Sequence, residues 1–282
     1  METKPAGTID DLVQDASNAG FEVTPRLIRS WTTKGLLDHP IRQPRGRGKG
    51  SRPALYRGSQ RELFLVLQHH RARELSLPGL ARIPVALWLY WPDAAIPADQ
   101  ARRAFTTWLD DPRSSRDEAR RNARAVTAQL ATVRTTAKAR RTLTNILSDL
   151  AYRGELDDEA ALRQAIREVF EPEYQGIAKT VGHPDAPLST DAMVDIIRAN
   201  LAGAWLVTSQ RLTLPDFVEA GRRQRESMAE YIHDQPQMTS IDWGQPAGLY
   251  EQPSVQWLVE QCCSQLLTII GLRAVAGGSR SR

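Results

Sequence analysis

The fold of the first third of the chain is decided by residues 23–37, V-T-P-R-L-I-R-S-W-T-T-K-G-L-L. Thr24 is a suitable N-cap, and Pro25 fits the first helical position, where its missing N–H costs nothing. Gly35 is suited to end the helix, because glycine adopts the left-handed C′ conformation without steric cost. The stretch therefore predicts a short helix that is capped at one end and stopped by glycine at the other.

The side chains of this predicted helix divide into two sets. Apolar residues that can turn inward are Leu27, Ile28, Trp31 and Leu36. Basic residues that are left for solvent or a ligand are Arg26, Arg29 and Lys34. Three basic residues and no acid give this helix only a modest positive charge. Most of the charge that could attract a polyanion lies in the segment that follows.

Residues 39–61 contain seven basic residues and no acidic one. The basic residues are Arg42, Arg45, Arg47, Lys49, Arg52, Arg57 and Arg61. Glycines alternate with three of these charges, so the segment cannot hold a helix. Because Ile41 and Leu55-Tyr56 flank it and could pair, the pattern predicts a short β-hairpin, or wing, with a long flexible tip. The alternative is a solvated basic loop without regular structure.

A second short helix precedes the arginine-bearing one. Thr8 fits its N-cap, acidic residues occupy its first turn, and it ends near residues 18–20. Two short helices joined by a tight connection, with the second one basic, are typical of a helix-turn-helix. A further helix is predicted from Gln60 to about Glu74, and the domain is expected to close near residue 94.

The motif residues resemble the MerR family of winged helix-turn-helix transcription factors. The matching residues are Val23-Thr24, Arg26, Ile28-Arg29, Trp31, Gly35-Leu36-Leu37 and Tyr56 before the next helix. The resemblance covers about residues 8–80. It implies that Thr24, Arg26 and Arg29 meet DNA from a recognition helix, and that the wing cations reach the backbone or the minor groove. The full set of implied DNA-binding residues is Thr24, Arg26, Arg29, Lys34, Arg42, Arg45, Arg47, Lys49, Arg52, Tyr56 and Arg57.

Net charge supports the same division of the chain. Of the 37 basic and 33 acidic residues, 14 basic and 9 acidic ones fall in residues 1–95, so the positive excess lies in this third. Such an asymmetry favours a polyanion partner for this part alone. We therefore predict a DNA-binding domain at residues 1–94, a helical domain at residues 95–276 and a disordered tail at residues 277–282.

The rest of the chain is predicted to be helical throughout. The expected helices cover residues 98–109, 114–152, 157–170, 190–207, 215–233 and 254–275, with a connection at residues 171–187. The last of them is broadly apolar and serves either as a core helix or as a dimer seam. Residues 120–148 carry seven basic residues and no acid. These form either a second phosphate-contacting surface or a solvated face that pairs with the acidic residues 149–173.

Other classes of protein find little support in the sequence. There is no phosphate-binding loop with a lysine, no nucleotide-binding glycine motif and no metal-ligand spacing, so we expect no enzyme, cofactor or metal site. Cys262 and Cys263 are adjacent and are expected to be reduced thiols in a buried helix. No apolar run approaches the roughly 20 residues that span a bilayer, which favours a cytoplasmic, nucleoid-associated protein without membrane contact.

The predicted fold class is thus mainly α, with a winged helix-turn-helix followed by an all-α domain. The predicted function is sequence-specific binding of double-stranded DNA by a bacterial transcriptional regulator. An alternative is an accessory, architectural or adaptor protein that binds DNA with little specificity in recombination or partition. The helical domain would hold a homodimer contact, a small-molecule effector or a protein partner.

Overall fold

The computed structural model describes residues 4–42, 53–109, 116–131, 134–181, 190–238 and 254–278. In these ranges the chain forms eleven α-helices and one short 3-10 helix, Pro92–Ala94. The α-helices are α1 Ile9–Asn18, α2 Pro25–Thr33, α3 Gly58–Ala72, α4 Leu77–Tyr90, α5 Ala98–Leu109, α6 Arg116–Leu130, α7 Ala137–Arg153, α8 Glu159–Val181, α9 Thr190–Thr208, α10 Leu214–Met238 and α11 Val255–Gly278.

The chain divides into two compact units. Unit 1 consists of Met1–Leu109 and Leu212–Leu266, and unit 2 of Asp110–Arg211 and Leu267–Arg282. Unit 1 thus contains α1–α5, α10 and the first half of α11. The boundary predicted between residues 94 and 95 falls inside unit 1, ahead of α5.

The predicted β-hairpin wing is wrong for the part of the chain that the structure describes. Only two isolated antiparallel bridges occur there, Ile41 with Leu55 and Gly7 with Tyr56. Ile41 and Leu55 exchange backbone hydrogen bonds of 2.8 and 3.0 Å, but the next residue, Tyr56, pairs with Gly7 of the N-terminal segment instead. Since α3 begins at Gly58, no ladder can extend on that side. The mainly α part of the prediction fits the structure; the predicted tip, residues 43–52, lies outside the described residues.

The N-terminal part of unit 1 contains a buried aromatic pair. Trp31 of α2 meets Phe64 of α3 edge to face, with ring centroids 5.8 Å apart. Leu12 of α1 and Ile28 of α2 are also fully buried. Thr8 and Asp11 form a reciprocal capping box at the start of α1, which satisfies N–H groups that the helix leaves unpaired. The two short helices predicted in this part of the chain, α1 followed by α2, are present in the structure.

The other part of the unit 1 core is also aromatic. Phe217 of α10 stacks on Trp88 of α4 at 4.7 Å and contacts Phe105 of α5 at 5.6 Å. Pro84 lies inside α4 and is buried, although proline removes one helical hydrogen bond. α5, which the sequence pattern assigned to the helical domain, is thus a core element of the same unit as α2.

A partly buried ion cluster ties the N-terminal segment to α1 and α3. Asp15 of α1 accepts hydrogen bonds from Arg61 at 2.7 and 2.9 Å and from Lys4 at 3.0 Å. Arg61 also donates to the carbonyl oxygen of Pro5 at 2.9 Å. One of the seven cations of residues 39–61 is therefore structural and unavailable to a ligand.

Replacing Asp15 by asparagine is expected to lower the free energy of unfolding by about 3 kcal/mol at pH 7, because it leaves the Arg61 charge buried without its partner. Burial alone raises the pKa of Asp15, but hydrogen bonds from Arg61 and Lys4 outweigh burial and hold the pKa below its ordinary value. A depressed pKa gives stability that is present above the unfolded-state pKa and is lost as pH falls through the folded-state pKa.

Urea unfolding at pH 7 and at acid pH checks this prediction. The gap between the wild type and Asp15→Asn should close as the pH falls well below the ordinary aspartate pKa of about 4. Asp10→Asn is the control, because Asp10 is exposed on the same helix. A similar loss in both variants, or a gap that persists in acid, would show that the ion cluster is not the cause.

Unit 2 has a separate apolar core built by α6, α7, α8 and α9. Its central residues include Leu143, Leu147, Leu162, Ile166 and Val194. The single long helix predicted for residues 114–152 is wrong, because α6 ends at Leu130 and α7 begins after Thr136, which caps it. The predicted connection at residues 171–187 is also wrong in its first part, since α8 continues to Val181.

The last helix contributes to both units. In unit 1, Cys262 and Cys263 are free thiols and fully buried, as predicted, and burial raises the pKa of the Cys263 thiol. In unit 2, a Cβ at Gly271 would lie 1.6 Å from the Ala199 carbonyl oxygen, so α9 and α11 cross at a glycine.

Within the described residues, Val255–Ala276 alone is long and apolar enough to span a membrane, a criterion that core helices also meet.

Candidate nucleic-acid interface

The two faces of α2 differ sharply in burial. Ile28, Trp31 and Thr32 are buried against unit 1, with at most 6% of their surface exposed. Arg26 and Arg29 are exposed on the opposite face. Two further polar residues share that outer face, Ser30 and Thr33. They follow Arg26 at i+4 and i+7, the spacing that places residues on one side of a helix, and this periodicity could have identified them from the sequence.

The exposed cations around α2 have no acidic partner among the described residues. No ion pair joins a described carboxylate to any of the five cations Arg26, Arg29, Lys34, Arg42 and Arg57. Arg61 and Arg103 of the same unit, in contrast, pair with Asp15 and with Asp38 and Asp99. These five cations are therefore available to an external anion.

The N-terminal end of α2 has the predicted cap. The Thr24 hydroxyl accepts a hydrogen bond from the Leu27 N–H at 3.3 Å, and Pro25 occupies the first turn. Thr24 is exposed, so its hydroxyl can approach a ligand and cap the helix at the same time. The predicted cap and proline position are both confirmed.

The C-terminal end of α2 is fixed by α5. The Thr107 hydroxyl donates to the Lys34 carbonyl oxygen at 2.8 Å, and the Arg103 guanidinium donates to the Thr32 carbonyl oxygen. Gly35 has φ +77°, and a Cβ there would lie 2.3 Å from the Ala104 backbone nitrogen. Carbonyl groups at the end of α2, which have no partner within the helix, thus accept hydrogen bonds from side chains of α5. Only glycine at position 35 allows the α5 backbone to come this close.

A buried pair of glutamines supports the turn that follows Gly35. Gln60 of α3 and Gln100 of α5 exchange two side-chain hydrogen bonds, of 3.0 and 3.1 Å. Gln60 also accepts from the Asp38 N–H at 2.8 Å, and Gln100 donates to the Leu36 carbonyl oxygen at 3.2 Å. Both side chains are at most 1% exposed. The sequence could not predict that these two glutamines pair, because they are 40 positions apart and lie in different predicted domains.

Tyr56 is placed away from the surface. Its side chain is 3% exposed, and its hydroxyl lies 3.0 Å from the Thr32 hydroxyl. Thr32 donates its own proton to the Ile28 carbonyl oxygen at 2.9 Å, so Tyr56 must donate to Thr32. Tyr56 was predicted to bind DNA, but it packs against α2 and orients this helix, and its buried ring does not face a ligand.

Replacing Tyr56 by phenylalanine should lower the free energy of unfolding by about 1 kcal/mol, because one buried hydrogen bond is lost while the ring remains. Tyr152→Phe is the matched control, since Tyr152 is 40% exposed. Chemical denaturation of both variants makes the comparison. Equal stability of the two variants would show that the Tyr56 hydroxyl does not support α2.

The remaining predicted site residues fall into two groups. Arg42 and Arg57 are exposed, and they lie close in sequence to the Ile41–Leu55 bridge that holds the two ends of the basic segment together. The other four cations lie outside the described residues, namely Arg45, Arg47, Lys49 and Arg52. The structure thus brings α2 and the base of the basic segment into one unit through Tyr56 and Thr32.

Comparisons with protein-family models, curated proteins and solved structures found no match. The resemblance to MerR proteins accordingly rests on the motif residues alone and stays a prediction. In the described residues, no cluster of three or more His, Cys, Asp and Glu side chains could hold a metal ion.

Proposed function

We propose that this chain binds double-stranded DNA through α2 and the basic segment that follows it, and that α2 reads sequence. The observation that carries the proposal is the outer face of α2, where exposed arginines have no described carboxylate partner on a helix fixed at both ends. A helix with a rigid polar face is the element that enters a major groove. A bacterial transcriptional regulator is the role that best fits sequence reading of this kind.

The chemistry of the outer face suits base edges. Arg26 and Arg29 can each donate two parallel hydrogen bonds to the O6 and N7 atoms of guanine. Ser30 and Thr33 add short hydroxyl groups on the same face, which can donate to or accept from a base or a phosphate. Four side chains of this kind over two helical turns match the number that a recognition helix commonly uses.

The cations around the helix suit phosphates. Lys34 lies at the end of α2, and Arg42 and Arg57 lie beside the bridge at the base of the basic segment. Phosphate contacts position a protein on the duplex without reading its sequence. The division of labour proposed here is therefore base contacts from the helix and backbone contacts from its surroundings.

The salt dependence of binding tests this proposal. Fluorescence anisotropy would follow the full chain binding to a labelled duplex of mixed sequence across a series of salt concentrations. If Lys34, Arg42 and Arg57 each neutralise one phosphate, they contribute about −2.7 to the slope of log K against log salt, at about −0.9 each. Undetectable binding, or binding that does not change with salt, would contradict the proposal.

A further inference from the structure

Helices α6 and α7 form an antiparallel hairpin in unit 2. The hydroxyls of Thr127 and Thr144 lie 3.1 Å apart, and the Arg116 guanidinium covers the Tyr152 ring at 5.1 Å. Arg116, at the start of α6, contacts Tyr152 near the end of α7. Thr127, near the end of α6, contacts Thr144 in the first half of α7. The two helices therefore run in opposite directions. The relative height of any two residues on the hairpin can therefore be read from the helical rise.

The inner face of the hairpin is mostly apolar, and its exposed surface carries more cations than acids. Buried residues recur at i+4 on both helices, namely Ala119, Ala123 and Thr127 on α6 and Ala139, Leu143 and Leu147 on α7. Five exposed cations lie off this inner face, and we call them the hairpin stripe: Arg120, Arg121, Arg124, Lys138 and Arg141. No ion pair joins any of them to a carboxylate that the structure describes.

The length of the hairpin stripe is suited to a repeating anion. With Thr127 level with Thr144, Lys138 lies near the height of residue 133, so the stripe extends about 20 Å at 1.5 Å per residue. Each strand of duplex DNA presents one phosphate per 3.4 Å of axis, hence about six over that length. Four guanidinium groups and one ammonium group along this length can bind several of these phosphates at once.

The acidic residues 149–173 do not neutralise the stripe where the structure describes them. Asp157 pairs with Arg153 at 3.0 Å, and Glu159 pairs with Arg163 at 2.9 Å and with Arg198 at 3.6 Å. These acids are thus held by other arginines of unit 2. The structural alternative for this basic run is pairing with the acidic stretch. None of the five stripe cations forms an ion pair with a described residue of that stretch.

We propose that the hairpin stripe is a second DNA-binding surface, which contacts the phosphates of duplex DNA and is separate from α2. An anionic membrane fits less well, because the apolar faces of both helices are buried in the unit 2 core and leave no apolar face to insert. The stripe adds affinity without sequence preference, since guanidinium–phosphate contacts read no base. Its test is independent of the α2 proposal.

The experiment uses the full chain with three stripe cations replaced, Arg120→Gln, Arg124→Gln and Arg141→Gln. The control carries Arg153→Gln, Arg198→Gln and Arg222→Gln, which removes the same charge from arginines that pair with carboxylates. Anisotropy with a long mixed-sequence duplex should give a slope of log K against log salt that is less negative by about 2.7 in the stripe variant only. Its affinity at 0.1 M salt should fall on the order of 500-fold, since each of the three lost phosphate contacts contributes nearly tenfold at that salt concentration.

The outcomes separate the two proposals. If the stripe variant and the control bind alike while both still bind DNA, the stripe proposal is overturned and the α2 proposal is untouched. If Arg26→Ala with Arg29→Ala leaves binding and its sequence preference unchanged and the stripe variant loses affinity, the stripe stands and the α2 proposal fails. Stripe-dependent binding to phosphatidylserine vesicles without any effect on DNA binding would overturn the choice of DNA as the partner.

Discussion

Replacing Gly35 by alanine should lower the free energy of unfolding of unit 1 by about 4 kcal/mol. The φ of +77° at Gly35 costs an L-residue about 1–2 kcal/mol. The new Cβ would also lie 2.3 Å from the Ala104 nitrogen and 2.6 Å from the Arg103 carbonyl carbon, both backbone atoms that a side-chain rotation cannot move. Forced shifts of packed backbone cost roughly 1–3 kcal/mol more.

Gly20→Ala separates the two causes. Gly20 has φ +82°, similar to that of Gly35, but a Cβ there meets nothing within 4 Å. This control should therefore lose only the conformational part, about 1–2 kcal/mol. Urea denaturation of both variants measures the difference. Equal losses would mean that α5 does not approach Gly35 closely and does not fix the end of α2.

Replacing Arg26 and Arg29 together by alanine should weaken binding to a preferred DNA site by about 100-fold or more. Each bidentate contact with a base contributes about 1–3 kcal/mol of discrimination, so two contacts contribute about 2 kcal/mol at the lower end of that range and about 4 kcal/mol at its middle. A 100-fold loss corresponds to about 2.7 kcal/mol and lies between these values. The free energy of unfolding should change little, because both side chains are exposed and have no described ion pair. Anisotropy with the preferred site and with a scrambled duplex is the measurement.

The matched control removes two arginines from α10, Arg222→Ala and Arg223→Ala, which pair with Glu219. Net charge changes by the same amount in both variants. The α2 variant should lose affinity for the preferred site far more than for the scrambled duplex, while the control affects both duplexes equally and slightly. If the control weakened binding to the preferred site as strongly as the α2 variant, α2 would not be the reading element.

Local signals in the sequence predicted local structure well. Thr24, Pro25 and Gly35 set the ends of α2 through their own backbone preferences, and the bounds of α5 agree with the structure at Ala98 and Leu109. The inward set of α2 was likewise readable from the spacing of its apolar residues. These features depend on residues that are at most a few positions apart.

Features that depend on tertiary contacts were missed. The break between α6 and α7 contains Thr135, which is buried and donates to the Val169 carbonyl oxygen of α8, a contact 34 residues away. The β-wing failed because Tyr56 pairs with Gly7, which no pairing pattern near the basic segment could indicate. The composition of residues 39–61 likewise could not indicate that Arg61, one of its seven basic residues, pairs with Asp15, which is 46 positions away.

The candidate site shows the same division. Arg26 and Arg29 were identified from the sequence, and their exposure agrees with that prediction. The supports from α5, namely Gln100, Arg103 and Thr107, were not identified, because their partners are the backbone of residues 32–36. Backbone acceptors are present at every position, so a sequence cannot show which of them a distant side chain will bind.

The most direct test of the central claim is selection of bound sequences from a pool of randomised duplexes, by the wild type and by Arg26→Lys with Arg29→Lys. Lysine keeps the charge but loses the planar fork that binds guanine through two hydrogen bonds. We expect the wild type to enrich one motif that contains guanines, and the variant to lose preference at those guanines while it keeps its affinity for mixed DNA. No enrichment by the wild type, or an unchanged motif in the variant, would contradict sequence reading by α2.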